Sequence, residues 1–515
     1  MRTHAGSNAC VCACRTPRTP SVRLGFARLP RWARFCMLAL GGAVAGLGQA
    51  PQDLWFLTIL ALAALFLVLD QNSRSAAFQV WAFGVGYFAV SLRWIIEPFL
   101  VDAANHGWMA PFAITSMAAG AALFWGGFAY IGARVAPRAV GGIALALVWA
   151  ELARAHVLTG FPWALLGHIW VPTPLAQLAA IGGPHLLTLF TIGAAWAVYA
   201  LFGQVRIAGG GMLLGLIGLG AWAVPSPFEP ADANAPIVRL VQPNAPQDQK
   251  WDPAYRDVFL NRMITMTGQG ARPDLIVWPE TAVPYLLNYV HGDLVLMAEA
   301  ARGAPLVFGI QRRSENLHYH NSLVVMGQGG TLRSTYDKRH LVPFGEYIPG
   351  GDLLGQFGIR GLAASDGAGF AAGTAPPRIN LPGIGDAIPL ICYEGIFAEE
   401  IGDGGARPRL LLLITNDAWF GEAAGPYQHL AQARLRAIEQ GLPMVRVANT
   451  GVSAMIDPFG RIIASLPLNS DGALDVALPT TGAATLYSRF SDWLLFGILM
   501  LLTLGCYLTQ RRDSD

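Results

Sequence analysis

Charged side chains are scarce in the first half of this sequence. Only 13% of the 515 residues are charged, whereas an ordinary soluble protein carries about 25%. Residues 35–225 contain only five acidic side chains, and charge returns to an ordinary density between about residues 230 and 488. We therefore expect a membrane-embedded first half, followed by a globular part that is long enough to bury a core of its own.

Cysteine and lysine are also rare. The sequence has six cysteines, and their spacing matches no paired disulfide or zinc framework, so we expect neither a metal nor a cofactor. Three of them, Cys10, Cys12 and Cys14, lie in an N-terminal tail that we expect to be unstructured. The two lysines, Lys250 and Lys338, stand against 33 arginines. The sequence contains no basic block with interleaved aromatic residues, so nothing in it predicts nucleic-acid binding.

Apolar runs fill the first half. A helix needs about 20 apolar residues to cross a bilayer, and about eight candidate spans are present: 35–47, 54–69, 77–95, 109–131, 140–152, 178–202, 212–224 and 493–508. Arginines concentrate in the N-terminal tail, after the second, fourth and sixth runs, and at the C-terminus. This asymmetry predicts cytoplasmic termini and a periplasmic globular domain in a bacterial inner membrane. A cleavable signal peptide ending at residue 50 is an alternative that leaves the globular domain outside.

These patterns divide the chain into five parts. We expect a disordered basic tail (1–31), a transmembrane bundle of about seven helices (32–228), a periplasmic catalytic domain (229–488), a final transmembrane helix (489–510) and a cytoplasmic tail (511–515). Glu151 and Arg154 fall on one helix face of the bundle, where charges are costly and are either paired or functional. The sequence Thr-Gly-Phe-Pro-Trp at 159–163 breaks that helix and offers aromatic side chains at headgroup depth.

The globular part alternates strand and helix patterns. Strands are predicted at 237–242, 275–278, 305–310, 322–326, 388–392, 410–415 and 444–448, and helices at 255–267, 292–301 and 428–440. This alternation predicts an α/β fold with buried strands. A proline-containing linker at 230–235 precedes it, and the Gly- and Ala-rich segment 361–377 predicts a mobile loop.

Three side chains of the globular part predict chemistry. Glu280 follows a strand and a proline, Lys338 is one of the two lysines, and Cys392 ends an apolar run. Taken singly, these are more commonly a surface carboxylate, a chance lysine and a core cysteine. Together they form a coherent set, because a thiol needs a base or a cation to become a nucleophile. Glu280 would supply the base, while Lys338 would stabilise the thiolate and an oxyanion.

The motifs at these residues resemble the nitrilase, or carbon–nitrogen hydrolase, superfamily, which uses a Glu-Lys-Cys triad. They are most similar to its membrane branch, the bacterial apolipoprotein N-acyltransferases. The resemblance covers about residues 34–509. It rests on Thr-Gly-Phe-Pro-Trp at 159–163, Val-Gln-Pro-Asn-Ala at 241–245, Trp-Pro-Glu-Thr at 278–281, the run Tyr-Asp-Lys-Arg-His-Leu-Val-Pro-Phe-Gly-Glu-Tyr-Ile-Pro at 336–349, Cys-Tyr-Glu at 392–394, Asn-Asp-Ala-Trp-Phe-Gly at 416–421 and Arg-Val-Ala-Asn-Thr-Gly at 446–451.

The resemblance implies an αββα sandwich inserted between the seventh and eighth spans. It implies transfer of a fatty acyl chain from a phospholipid, typically phosphatidylethanolamine, to the α-amino group of the diacylglyceryl-cysteine of apolipoproteins. We expect a ping-pong reaction through a cysteine thioester. Glu280 is then the base, Lys338 the oxyanion stabiliser and Cys392 the nucleophile. The substrate-binding or supporting residues implied are Trp251, Glu346, Tyr393, Glu394 and Trp419.

Other classes of function remain open at this stage. A membrane-tethered amidase that hydrolyses a small amide would use the same triad, so the triad cannot decide between the two enzymes. A transporter or flippase predicts buried charges or paired broken helices in the bundle, and the spans have few of either. A scaffolding protein would leave the three reactive side chains without a purpose.

Overall fold

The computed structural model describes residues 25–70, 72–136, 140–202, 206–225, 232–349, 369–402 and 405–512. Most of the predicted N-terminal tail, including Cys10, Cys12 and Cys14, lies outside these residues. So do the start of the predicted linker at 230–235 and residues 361–368 of the predicted loop.

Helices make up the described part of the first half, and one more ends the chain. The long ones are Arg31–Gly46, Trp55–Val68, Ser73–Ser91, Ala110–Val135, Val140–His156, Ala179–Leu201, Arg206–Trp222 and Trp493–Arg512. The first and third pack backbone to backbone. A Cβ atom on Gly42 would lie 1.8 Å from the carbonyl oxygen of Phe83, and one on Gly86 would lie 1.8 Å from that of Ala39. Small residues permit this close approach between helices.

Fewer helices than expected satisfy the length and composition of a membrane span. Among the described residues, Ala103–Val135 and Pro174–Leu201 are long and apolar enough. A third candidate is the pair Ser73–Ser91 and Arg93–Leu100, which is bent by 63° where we expected one continuous run. The helices Trp55–Val68, Arg206–Trp222 and Trp493–Thr509 are apolar but shorter. A helix rises about 1.5 Å per residue, so a 14-residue helix spans about 21 Å of a core about 30 Å thick.

Two β-sheets form the second half. The first has the order β13-β1-β2-β4-β5-β6, with β3 also paired to β4, and the second has the order β12-β11-β10-β9-β8-β7. The strands are β1 Ile237–Gln242, β2 Leu275–Val277, β3 Val283–Leu286, β4 Leu306–Arg313, β5 Tyr319–Met326, β6 Leu332–Asp337, β7 Ile379–Leu381, β8 Gly385–Ile391, β9 Leu410–Thr415, β10 Met444–Ala448, β11 Ser453–Ile456, β12 Ile462–Leu466 and β13 Gly472–Ala477.

The sheets pack face to face, and helices cover their outer faces. Apolar side chains of β1, β2 and β4 share one core with those of β8, β9 and β10. Helices Arg256–Gly268 and His291–Ala301 pack on the outside of the first sheet, and helix Gly425–Gln440 packs on the outside of the second. This is the αββα sandwich that the sequence resemblance implied. The short helix Leu486–Phe490 then leads into the final helix.

The seven predicted strands are all present, three of them with the predicted bounds. The three predicted helices of this half also occur, with ends shifted by at most three residues. The sequence did not predict β3, β6, β7 or β11–β13, which are short or carry polar residues on an exposed face.

Candidate active site

Three strand ends of the sandwich bring the predicted triad together. Glu280 follows β2, Lys338 follows β6 directly, and Cys392 follows β8 directly. All three side chains are buried. Open sheets position reactive side chains in this way, at the carboxyl ends of their strands.

The Lys338 ammonium lies between two carboxylates. Its Nζ donates a hydrogen bond to Glu346 Oε1 at 2.9 Å and lies 3.7 Å from Glu280 Oε1. Burial lowers the pKa of Lys338, but the charges of Glu346 and Glu280 outweigh burial and raise it above its ordinary value. Lys338 is therefore a fixed cation at the centre of the site, and Glu346, one of the predicted supporting residues, holds it there.

The Glu280 carboxylate is held on both oxygens. Asn321 Nδ2 donates to Oε1 at 2.7 Å, and the backbone N–H of Asn416 donates to Oε2 at 2.8 Å. Asn321 also donates to Glu346 Oε1 at 3.2 Å, so one amide orients both carboxylates around Lys338. Asn321 thus contacts both carboxylates near Lys338. No local sequence pattern predicted a role for it.

The Cys392 thiol lies at a sharp turn. Its φ is +51°, a left-handed conformation that non-glycine residues rarely adopt and that is found at functional turns. Burial raises the pKa of the Cys392 thiol above its ordinary value, Glu280 raises it further, and Lys338 opposes both. At neutral pH the thiol therefore stays protonated until a base takes the proton.

Glu394 ties this turn to the lysine loop. Its Oε1 accepts from Tyr336 Oη at 2.8 Å and from the backbone N–H of Arg339 at 2.7 Å, while its Oε2 accepts from the backbone N–H of Ile391 at 2.7 Å. These bonds join the residue before Cys392 to the residue after Lys338. Burial raises the pKa of Glu394, although the hydrogen bonds oppose that rise. Glu394 thus fixes the spacing between the Cys392 turn and the loop that follows Lys338.

The other predicted supporting residues occupy different environments. Tyr393 is buried and packs edge-on against His340 and Phe397, with ring centroids 5.5 and 5.0 Å away. Trp251 is 41% exposed, next to the buried Lys250. Trp419 lies half-buried in the turn Asp417–Phe420, which follows β9. The structure therefore gathers Glu346, Tyr393 and Glu394 tightly around the triad and leaves the Trp251 indole facing outward.

A buried His-Asp-Arg group supports the cysteine turn and was missed at the sequence level. His429 Nε2 lies 3.2 Å from the Cys392 carbonyl oxygen, and its Nδ1 lies 2.9 Å from Asp417 Oδ1. Arg446 donates to the other oxygen of Asp417. Arg446 and Asp417 lie in motifs that carried the resemblance, but only the fold shows that they meet beneath Cys392.

Two protein-family models match parts of this chain. Residues 41–197 match the apolipoprotein N-acyltransferase N-terminal domain, and residues 237–486 match the carbon–nitrogen hydrolase domain. An apolipoprotein N-acyltransferase of Brucella melitensis is 36% identical over 93% of this chain and 97% of its own length. One of Caulobacter vibrioides is 37% identical over 91% of this chain and 93% of its own. The chain belongs to the apolipoprotein N-acyltransferase family.

A solved structure is also similar to the second half. It is a variant of an amidase from Nesterenkonia sp. AN1 that carries a covalent acetamide moiety on its active-site cysteine. It is 19% identical and covers 52% of this chain and 99% of its own, with a TM-score of 0.37.

In this family member, the helical half reaches the cysteine turn through the segment 159–163. The Trp163 indole donates to Gln428 Oε1 at 2.7 Å and stacks on the His429 ring, with centroids 5.8 Å apart. Behind it, Arg154 donates to the carbonyl oxygens of Phe161 and Trp163. Arg154 also pairs with Glu151 at 3.0 Å, and both side chains are buried. The predicted pairing of Glu151 with Arg154 is therefore confirmed.

A cavity of about 590 Å³ lies between the two halves. Arg339, His340 and Phe397 line it from the catalytic domain, and His156 and Thr159 line it from the helical half. Its wall includes the two residues that follow Lys338 directly, but Glu280, Lys338 and Cys392 themselves do not line it.

Proposed function

We propose that this chain transfers a fatty acyl chain from a phospholipid to the α-amino group of the diacylglyceryl-cysteine of an apolipoprotein. One observation carries the proposal: Glu280, Lys338 and Cys392 meet in one buried site, in a chain whose family is named for lipoprotein N-acylation. Phosphatidylethanolamine is the proposed donor. The mechanism needs no metal or cofactor, because the triad supplies base, cation and nucleophile.

In the first half-reaction, the Glu280 carboxylate takes the thiol proton of Cys392 as the sulfur attacks the ester carbonyl of the phospholipid. A C–S bond forms, and the carbonyl oxygen gains negative charge. The Lys338 ammonium stabilises that oxyanion. The tetrahedral intermediate then collapses, the C–O bond breaks, and the proton on Glu280 passes to the departing lysophospholipid oxygen.

In the second half-reaction, the α-amine of the apolipoprotein attacks the thioester carbonyl. Glu280 takes a proton from the attacking nitrogen and returns it to the sulfur as the C–S bond breaks. The products are an amide and the free thiol, so the enzyme is regenerated without any other reagent. Water must be excluded while the thioester waits, because hydrolysis would release the fatty acid; burial of all three side chains supports such exclusion.

We further propose a topology for the chain. The eight long helices would be eight spans, with the segment 229–488 in the periplasm and both termini in the cytoplasm of a bacterial inner membrane. The tail 1–31 would precede the bundle 32–228, and the helix 489–510 would precede the tail 511–515. The arginine asymmetry of the loops supports this arrangement. The shorter helices would require a locally thinned bilayer or flanking residues that extend the apolar stretch.

Lipid access is proposed through the cavity that both halves line. Leu158, at the end of helix Val140–His156, is 92% exposed, which suits contact with acyl chains. Trp251 and Trp419 are proposed to contact substrate at the outer side of the site. The remaining rival, an amidase acting on a small amide, would have no use for an apolar half joined to its nucleophile turn.

A transfer assay tests the proposal. Purified enzyme is incubated with phosphatidylethanolamine and a synthetic diacylated lipopeptide, and the product is identified by mass spectrometry. The wild type is expected to produce the triacylated lipopeptide, and Cys392→Ala is expected to produce none. Absence of triacylated product from the wild type, together with hydrolysis of a small amide, would favour the amidase instead.

A further inference from the structure

Both lysines of the sequence contact Glu280. Lys338 faces its carboxylate, whereas Lys250 approaches its main chain from the other direction. Lys250 Nζ donates to the backbone carbonyl oxygen of Glu280 at 3.2 Å and to Thr281 Oγ1 at 2.8 Å. Arginine serves as the cation almost everywhere else in this sequence, and an ammonium differs from a guanidinium in being a compact donor.

The backbone turn at Glu280 and Thr281 is strained, and it packs closely against Gly309. Thr281 has a φ of +44°, a conformation that a β-branched residue rarely adopts. On one side the turn rests on Gly309, where a Cβ atom would lie 2.4 Å from the Thr281 nitrogen and 2.6 Å from the Glu280 Cα. Lys250 holds the same turn through its carbonyl and hydroxyl oxygens. The carboxylate of Glu280 therefore points from a backbone that Lys250 helps to fix.

Lys250 is a buried cation, and burial of a charged group costs free energy unless other groups compensate it. The lysine is 4% exposed, and burial lowers its pKa to about 8 although Glu280 and Cys392 oppose that shift. Its backbone N–H closes a turn onto the Pro246 carbonyl at 2.9 Å, and its ammonium lies 5.7 Å from the centre of the Trp251 ring. The same turn thus carries the inward Lys250 and the outward Trp251.

We infer that Lys250 is a positioning residue, which holds the Glu280–Thr281 turn so that the Glu280 carboxylate is aligned with the Cys392 thiol in both half-reactions. This role rests on the proposed function, since it assigns Lys250 a part in the same acyl transfer. It extends the site beyond the triad to the loop between β1 and helix Arg256–Gly268. Lys250 acts through Glu280 and does not touch the reacting atoms.

The test separates rate from the amount of folded enzyme. Wild type, Lys250→Met and Lys250→Arg are mixed with phosphatidylethanolamine without acceptor, and the burst of lysophospholipid is followed. The amplitude reports the fraction of competent enzyme, and the rate constant reports the alignment of the base. Lys250→Met, which keeps an unbranched side chain of similar length and removes the ammonium, is expected to lower the rate constant about 10- to 100-fold, with KM for the phospholipid within about twofold.

Three further variants are compared with Lys250→Met. Lys250→Arg restores a charged donor and is expected to recover part of the rate constant. The matched control is Arg256→Met, which removes a cation that packs on Tyr285 near the same loop and should leave the rate constant unchanged. If Lys250→Met cannot be isolated, Thr281→Val removes one acceptor of the same ammonium and should lower the rate constant in the same direction.

Three outcomes would overturn the inference. A Lys250→Met enzyme with reduced amplitude but a wild-type rate constant would show that the lysine only stabilises the fold. A wild-type enzyme that releases no lysophospholipid and acylates no lipopeptide would overturn the proposed function and this role with it. Activity in the wild type combined with unchanged kinetics in Lys250→Met and Thr281→Val would overturn the role alone.

Discussion

The Trp163 indole stacks on the imidazole of His429, with ring centroids 5.8 Å apart and planes inclined by 28°. His429 in turn donates a hydrogen bond to the carbonyl oxygen of Cys392 at 3.2 Å. Trp163 follows helix Val140–His156, and His429 lies on helix Gly425–Gln440 of the sandwich. The left-handed turn at the nucleophile is therefore supported by a side chain from the helical half.

Trp163→Leu is expected to slow formation of the acyl-enzyme about tenfold, because His429 and the Cys392 turn lose their packing partner. The measurement is the rate constant of the lysophospholipid burst. Trp149→Leu is the matched control, since it also removes an indole hydrogen bond, that of Nε1 to Thr503 Oγ1 at 3.1 Å. Equal rate constants for Trp163→Leu and wild type would show that the helical half does not support the nucleophile.

Glu346→Gln is expected to impair catalysis with little loss of folded enzyme. The Gln amide oxygen can still accept from Lys338, but the negative charge 2.9 Å from the ammonium is lost, and Glu280, 3.7 Å away, remains as its nearby carboxylate. The ammonium would then move toward Glu280 and hold the base as an ion pair, which should lower the burst rate constant about tenfold or more. Glu315→Gln, at an exposed loop position, is the control. A rate constant within error of the wild type would contradict this placement of Lys338.

The ionisation of Asp417 should make the free energy of unfolding depend on pH below about pH 4. Burial raises its pKa, but Arg446 and His429 outweigh burial, and the pKa falls to about 2, against about 3.9 in an unfolded chain. The folded state therefore prefers the ionised form, which contributes on the order of 2 to 3 kcal/mol above about pH 4, a contribution that is lost as the pH falls toward 2.

Thermal melting between about pH 2 and pH 7 tests this dependence. Asp417→Asn should melt at a lower temperature than the wild type at pH 7, and the difference should shrink below about pH 4. Asp471→Asn, at an exposed position, serves as the control. A constant difference across this range would contradict the assigned pKa.

Glu151→Ala should destabilise the helical half strongly. The carboxylate accepts from Trp125 Nε1 at 2.7 Å, from Arg154 at 3.0 Å and from the backbone N–H of Leu166 at 3.1 Å. Its removal leaves the Arg154 charge buried without its counter-ion, at a cost of about 3 kcal/mol. Circular dichroism in detergent should show helices melting at a lower temperature, whereas the exposed Glu299→Ala should melt with the wild type. Equal melting of Glu151→Ala would contradict the buried ion pair.

Local sequence patterns predicted the parts of the site that lie at the ends of apolar strands. Glu280 and Cys392 could be found in this way, because β2 and the end of β8 are apolar runs. Lys338 was found through its rarity instead, since β6 is largely exposed and reads as polar sequence. The six strands that were missed are short or half-exposed, so their pattern is weak.

The rest of the site depends on contacts between distant segments. Asn321, Lys250 and His429 each contact a triad residue that lies 30 to 41 positions away in the sequence, and no local sequence pattern predicts such contacts. The break in helix Ala179–Leu201 is similar: Gly182 and Gly183 leave the helical conformation, although the apolar run continues. Eight spans were expected, and only two helices, or three with the bent pair, meet the length and composition of a span within the described residues.

The central claim is that Cys392 carries the acyl group. Wild-type enzyme, Cys392→Ala and Cys36→Ala, which removes an exposed cysteine, are incubated with phosphatidylethanolamine in the absence of acceptor and examined by mass spectrometry. The account predicts one added acyl mass on the peptide containing Cys392 in the wild type and Cys36→Ala. That mass should be released by neutral hydroxylamine or by the diacylated lipopeptide, and it should be absent from Cys392→Ala. An acyl group on another residue, or transfer by Cys392→Ala, would contradict the account.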